Sequence, residues 1–439
     1  MSEKMIKKSR VLIAALLGTV MIAALTLWGC GGSGGTSSYS DPTASITTTK
    51  TASALIEAST LKQWVDEGKV NSTDPANLDK VVIVTVVAAT NYASLHIPGS
   101  QLLNYSTELA ITRMDGVATN TSEVPTGPLM DAMVQRFGIT KNTTVVLTVS
   151  KGQSLMNTTR AYYTFRYWGF PKERLKILNG GDDAWNDAAT AEGWGSAYAL
   201  TATVPSIAAS TFSVRSFYNG STANFDSRYS IGQMLTLVDN INLNNIKIDT
   251  TGVSIIDARG GTNATKIQNA IMDDYAKYWT AATGKTGIMN SQSAQIAYLT
   301  AEGVTAAKTM NYVYCASGHR ASVPYFVLDG MLNWPVTLYD GSSQQWGSYV
   351  STATLNKVAT AWQTDVVTPG TTINRTFNIS GVVPIVAGTS VTLDAASNAM
   401  FTSITDSRAN QQLNEDRAYF TSGSAVTTPS TGGGTPGGC

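Results

Sequence analysis

Seven consecutive residues, Val81-Val82-Ile83-Val84-Thr85-Val86-Val87, are all β-branched. Such a run offers no polar face to water, so it predicts a strand covered on both sides, the situation of an inner strand in a parallel sheet. Parallel neighbours need long crossovers, and helical stretches stand where the crossovers belong. Ser59 to Val65 starts with a cap candidate and reads as a helix, Met130 to Phe137 fits a helix, Thr144 to Val149 a second buried strand, Thr158 to Trp168 a helix, and Leu175 to Leu178 a short strand before Gly180-Gly181. This alternation argues for an α/β fold with a parallel sheet flanked by helices.

The same grammar returns in the second half. Ile231 to Val238 suits a helix, Val253-Ser254-Ile255-Ile256-Asp257 a buried strand, Ser291 to Glu302 a helix and Met310 to Tyr314 a strand, followed by a helical stretch through Leu328. Two diverged copies of one domain account for 439 residues better than one large sheet does. A Thr, Ala and Ser-rich stretch with Pro205, residues 199–213, reads as the connector. Beyond about Thr360 the texture changes: Asn374 to Ile379 and Ser390 to Leu393 alternate like strands, and Thr427 to Cys439 is low-complexity.

Thirty basic residues balance thirty acidic ones, so the broad positive field of a nucleic-acid binder is missing and no nucleic-acid partner is expected. Charged residues are only 14%, which leans extracytoplasmic. The N-terminus agrees: Lys4, Lys7, Lys8 and Arg10 precede an apolar run from Val11 through Leu27, and Leu27-Trp28-Gly29-Cys30 resembles a bacterial lipobox with Cys30 as the acylated residue. The alternative is a simple membrane-spanning helix. The lipoprotein reading places the chain in the cell envelope, held to a membrane through its lipid, with other envelope proteins as candidate partners.

Three Cys (Cys30, Cys315, Cys439) and two His (His96, His319) are too few for a disulfide scaffold, a clustered zinc site or a multi-haem chain, and no metal or cofactor is expected. The informative stretch is Cys315-Ala316-Ser317-Gly318-His319-Arg320. A Cys after a buried strand and before a helix lies at the carboxyl edge of a parallel sheet, where open α/β folds place their ligands. Loop N–H groups, Arg320 and a protonatable His319 are expected to favour the thiolate, and Gly318 frees the backbone to curl around an anion. The plain alternative is an inert buried Cys at a strand end.

These residues, with several others, resemble the tandem rhodanese family of sulfurtransferases, of the thiosulfate and 3-mercaptopyruvate types, over about residues 58 to 350. His96-Ile97-Pro98-Gly99-Ser100 is similar to the family's GHIPGA turn, and Asn179 to Trp185 to its GGxxAW segment. Ile256-Asp257-Ala258-Arg259 resembles the DxR strand end, Cys315 to Arg320 the CxxGxR active loop, and Tyr339-Asp340-Gly341-Ser342 with Trp346 the segment that closes these proteins. The resemblance implies a catalytically silent first domain and a nucleophile in the second. The first copy agrees, having Val149-Ser150-Lys151-Gly152-Gln153-Ser154 where a cysteine loop belongs, and Thr85 and Val87 at the strand end.

The resulting division is 1–29 signal peptide, 30–57 lipid-anchored flexible linker, 58–198 inactive rhodanese-like domain, 199–213 connector, 214–360 catalytic rhodanese-like domain, 361–426 β-rich extension and 427–439 Gly/Thr-rich tail. The implied chemistry takes a small sulfur-donor anion, forms a Cys315 persulfide and passes the sulfur to a thiol acceptor. Cys315 is the expected catalytic residue; Ala316, Ser317, Gly318, His319, Arg320, Asp257 and Arg259 are the expected substrate-binding residues. For Asp257 and Arg259 a structural salt bridge is an equal alternative, and for His319 an exposed polar loop residue. The second copy has Thr265 to Ala270 in place of the GHIPGA turn, and Ala316-Ser317 is closer to a mercaptopyruvate-type loop than to a basic thiosulfate-type one. The competing readings are a phosphatase, against which the loop of four residues between Cys315 and Arg320 is one short, and a non-enzymatic envelope scaffold.

Overall fold

The computed structural model describes residues 53–350, apart from 75–78, 116–117, 243–245, 262 and 264–265, together with 410–423. In the first copy the strands are β1 (Leu55–Ile56), β2 (Val81–Val87), β3 (Gln101–Asn104), β4 (Ile111–Asp115), β5 (Ala118–Glu123), β6 (Thr144–Thr148) and β7 (Leu175–Leu178). Its helices are α1 (Ala58–Asp66), α2 (Ala89–Ser94), α3 (Tyr105–Glu108), α4 (Gly127–Arg136), α5 (Met156–Tyr167) and α6 (Gly181–Ala191). The second copy has β8 (Arg228–Tyr229), β9 (Val253–Asp257), β10 (Ile271–Met272), β11 (Trp279–Thr280), β12 (Ile288–Met289), β13 (Met310–Tyr314) and β14 (Val336–Tyr339). With them come α7 (Ile231–Asn242), α8 (Gln292–Ala301), α9 (Ser322–Phe326) and α10 (Ser342–Val350), and a last helix, α11 (Gln411–Ser422), lies near the chain's end.

The sheets are β3-β2-β6-β7-β1 and β10-β9-β13-β14-β8, each five-stranded, and every pairing within them is parallel. Counted in chain order, both run third, second, fourth, fifth, first, so the repeat seen in the sequence is a repeat of topology. All seven residues of β2 are buried, as an uninterrupted β-branched run requires. Each copy adds an antiparallel hairpin, β4–β5 or β11–β12, that the sequence reading did not anticipate.

Helix α5 is buried at every residue except Asn157. A helix covered all round is ordinarily apolar, yet this one carries Arg160, Arg166 and three threonines. It lies between the two copies, and the second copy pairs several of its polar groups: Arg166 and Tyr162 bind Asp329 at 2.9 and 2.7 Å, and the Thr159 and Ser322 hydroxyls meet at 2.8 Å. Tyr162 and Tyr163 pack edge-on against Phe326 and Tyr325, each with ring centroids 4.9 Å apart, so one apolar core runs through both copies.

Two boundaries differ from expectation. Leu55 and Ile56, assigned to the linker 30–57, pair with β7 as strand β1, and Ala54 beside them is fully buried. Within the segment expected to be β-rich, 361–426, residues 411–422 are helical. The stretch Gln411 to Ser422 contains neither Gly nor Pro, and the helix stops at Gly423 in a left-handed conformation, φ 78°. Helix α11 buries Leu413 and Phe420, and its Asp416 takes both terminal nitrogens of Arg113 at 3.0 and 2.9 Å and the Tyr167 hydroxyl at 2.7 Å. On the other side Gln412 accepts from Arg228 at 2.7 Å, so the helix touches both copies. The signal and lipid-site residues 1–30, the strand-like stretches Asn374 to Ile379 and Ser390 to Leu393, and Cys439 lie outside the described residues. Among the described residues no helix is long and apolar enough to cross a membrane.

Candidate active site

Strand β13 lies between β9 and β14 at the centre of the second sheet, and Cys315 follows its last residue. The loop turns back at Gly318, φ 85°, and enters α9 at Ser322. The turn at the start of α10 pins it: Cys315 N–H donates to Ser342 Oγ at 3.3 Å, Cys315 C=O accepts from Ser343 N–H at 2.9 Å, and Ala316 C=O accepts from Gln344 N–H at 3.0 Å. So held, the loop brings the Ser317 amide to 3.4 Å from Cys315 Sγ, a sulfur-directed donor of the kind that favours negative charge there. Cys315 itself is 0% exposed, so the sulfur lies beneath the surface rather than open to a cleft.

Three side-chain atoms of the same loop, Ser317 Oγ, His319 Nε2 and Arg320 Nε, are buried and lack a hydrogen-bond partner among the described residues. Buried polar groups are nearly always paired, so three orphans on six residues mark a place shaped for something else. Arg320 reaches the Arg259 carbonyl only at 3.5 Å and lies over the Tyr275 ring, 5.3 Å from its centre, with no carboxylate pairing it among the described residues. Arg259 is spoken for: its Nε and Nη2 grip the Asp257 carboxylate at 2.6 to 3.0 Å, and its Nη1 donates to Ser343 Oγ at 2.9 Å. The Asp257–Arg259 pair thus ties the β9 end to the turn that holds Cys315, which is the structural role left open above.

His319 corrects both earlier readings. It is 1% exposed, so it is no surface residue, and burial, assisted by the Arg160 charge, pushes its imidazolium down to about 3. A neutral ring supplies no positive charge to the thiolate. Its ring lies 4.9 Å from that of Tyr105, which comes from the first copy.

Other first-copy residues reach this site. Hairpin β4–β5 exchanges hydrogen bonds with Gln344 through Thr121, at 3.0 and 2.7 Å, and Val124 N–H donates to Asp340 Oδ2 at 3.1 Å. From α5, Arg160 binds Asp340 at 2.5 Å with both side chains wholly buried. Sequence reasoning missed these contributors; the one signal present was an arginine inside an otherwise coverable helix. The contact is mirrored: Met289 N–H of hairpin β11–β12 donates to Asn179 Oδ1 at 2.9 Å, Asn179 standing where the second copy has Asp340.

In the first copy the corner after β6 holds Val149, and its Gly152, φ 70°, takes the turn that Gly318 takes. Here the glycine amide donates to Asp183 Oδ2 at 2.7 Å, Thr286 N–H of the second copy donates to the same oxygen at 2.9 Å, and Lys285 Nζ stands 3.4 Å from Oδ1. Burial opposes ionisation of Asp183, but these amides and Lys285 prevail and hold its carboxyl below the ordinary range. A pocket of about 800 Å³ is also on the first copy, between Tyr92, Gln101, Arg136 and Pro205, and Cys315 does not line it.

Residues 58–188 match the rhodanese-like domain family, the half of the repeat without the cysteine. No curated protein matches the sequence. Among solved structures, YnjE aligns at 19% identity over 67% of this chain and 66% of its own, about two thirds, with a TM-score of 0.48. A variant of EanB in complex with hercynine aligns at 18% identity over 67% of each chain, TM-score 0.49. An EanB variant bearing a cysteine persulfide, with ergothioneine, aligns at 18% over 67% of this chain and 68% of its own, TM-score 0.49. The chain therefore carries a rhodanese-like domain over residues 58–188, followed by a second parallel sheet of the same strand order that bears Cys315.

Proposed function

We propose that the protein is a sulfurtransferase that moves a sulfane sulfur from thiosulfate or 3-mercaptopyruvate to a thiol or other nucleophilic acceptor through a persulfide on Cys315. The observation that carries this reading is the Cys315–Arg320 loop, in which an amide faces the sulfur and three buried polar atoms have no partner among the described residues. The thiolate attacks the outer sulfur of the donor; with thiosulfate the S–S bond breaks and sulfite departs with the electron pair. An acceptor thiolate then takes the outer sulfur of the persulfide, and the Cys315 thiolate is restored. Loop amides stabilise the anionic sulfur in both steps, and Arg320, which no carboxylate among the described residues pairs, draws the donor anion. Because Sγ is covered, the donor enters only when the elements over the loop part.

The test is mass spectrometry of the protein after separate exposure to thiosulfate and 3-mercaptopyruvate. One sulfur atom gained at Cys315 with either donor is the expected result; no gain with both overturns the reading. The full burial of Cys315 favours a second reading, a non-enzymatic envelope scaffold, for which Cys315→Ser would leave the cellular role unchanged. The lipobox-like Leu27 to Cys30 supports acylation at Cys30 and an extracytoplasmic site for this chemistry; labelling with a radioactive fatty acid that persists in Cys30→Ala would refute it.

A further inference from the structure

Arg160 lies on α5 of the first copy, is fully buried, and sends its guanidinium across to the second copy. There Nη1 binds Asp340 Oδ1 at 2.5 Å, while Nη2 reaches Asp340 Oδ2 at 3.3 Å and the Ser122 carbonyl at 2.6 Å. Asp340 follows β14 directly and precedes the turn whose Ser342, Ser343 and Gln344 hold Cys315 and Ala316. The pair also touches the loop itself. A Cβ placed on Gly318 would overlap Asp340 Oδ1 and stand 3.1 Å from Arg160 Nη1, so the loop passes against the ion pair with no room for a side chain. On the next residue, the His319 ring feels the Arg160 charge.

We infer that Arg160 of the silent copy is a positioning residue for the Cys315 loop, acting through Asp340 to set both the path of Gly318 and the charge balance beside the sulfur. This rests on the reading of Cys315 as the nucleophile. The charged and titratable groups around the pair come from every neighbouring element: Glu123 on β5, Arg228 on β8, 3.6 Å from Asp340 and 2.7 Å from Glu123, neutral His319 in the loop, and Tyr163 on α5 itself. Beyond the loop are Arg320 and the closed Asp257–Arg259 pair. Removing either member of the Arg160–Asp340 pair therefore leaves, relative to the parent, an excess of one charge of known sign beside the loop. Without Arg160 the excess is negative and disfavours a thiolate; without the Asp340 charge it is positive and favours one.

The test follows the Cys315 thiol directly by ¹³C NMR of the full chain labelled at cysteine Cβ, the signal being assigned by its loss in Cys315→Ser. Arg160→Met is expected to raise the titration midpoint of Cys315 by about one pH unit, a tenfold loss of thiolate. Asp340→Asn, whose amide can still accept from Val124 N–H and from Arg160, is expected to lower it, and the double variant is expected to return toward the parent. Opposite signs are the signature, since a merely structural role would damage both variants alike. Shifts in the same direction, or none in folded protein, overturn the inference. Should Arg160→Met fail to fold, Asp340→Asn alone decides: a midpoint at or above the parent's refutes the coupling. The titration requires no sulfur transfer, so a protein that moves no sulfur and a loop that ignores Arg160 give separate results.

Discussion

After its fourth strand in chain order, each copy turns through a glycine of positive φ, but different amides of the two turns are engaged, by different acceptors. In the second copy the Ser317 amide faces a sulfur; in the first, the Gly152 amide is taken by the carboxylate of Asp183, which the second copy's Thr286 also grips. The backbone cradle survives in both. The turn of the first copy is filled from within and used as a latch on its neighbour. The difference shows that a turn without a cysteine need not leave its amides unpaired: the Asp183 carboxylate, two residues past the Gly180-Gly181 turn, takes the Gly152 amide and becomes part of the interface.

The largest break in this comparison is expected from Cys315→Ser, which removes the one sulfur in a cradle and should cut sulfur transfer at least about 10³-fold, measured by product sulfite or pyruvate. Retained turnover would place the chemistry elsewhere. Next is Gly318→Ala: a methyl pushed toward Asp340 at φ 85° should cost about 2–4 kcal/mol in a denaturant melt and slow transfer with it. A stability loss under half of the lower figure would mean the loop yields easily. Asp183→Asn should cost about 1–3 kcal/mol at neutral pH, for two amide bonds to a carboxylate. Since the folded carboxyl is depressed, its contribution is present above the unfolded value near about 3.9 and lost as pH falls through the lower folded value. The gap between parent and variant melts should therefore close in acid, and a gap that widens there contradicts the latch. Smallest, Val149→Cys placed in the Cys315→Ser chain should gain no persulfide, because that turn has Ser154 where the second copy has Arg320 and holds the Asp183 carboxylate against its glycine, which repels a donor anion; a gain would show the two turns to be interchangeable.

How much of this was legible depends on where each residue finds its partner. Strands β2, β7, β9 and β13 stand where the sequence placed them: in β2 and β9 burial on both faces is written in the β-branched residues, and β7 (Leu-Lys-Ile-Leu) and β13 (Met-Asn-Tyr-Val-Tyr) are short, mainly apolar or aromatic runs that end just ahead of glycine-bearing turns. Hairpin β4–β5 was not visible: its Ile-Thr-Arg-Met-Asp reads as mixed surface, and Arg113 is buried only because Asp416 meets it from far along the chain. The two-residue strands β8 and β10 are edges too short to carry a period. In the site, the Cys315 loop was readable from spacing, whereas Arg160 was not, since an arginine on a helix looks solvated until the opposing carboxylate is known. His319 was misread for the same reason: a loop residue is taken for a wet one, and here Tyr105 and α5 cover it.

Helix α11 gives the molecule a dependence on the order of synthesis. Arg113 finds Asp416 303 residues later, and its guanidinium has a buried destination that does not exist until that carboxylate has been made. During translation both sheets can pair before the last helix emerges, but the seam that α11 spans must stay hydrated until then. A ribosome stalled after Tyr339 has emerged but before Gln411 is made would hold two finished sheets around a wet seam, a species that chaperones would be expected to recognise.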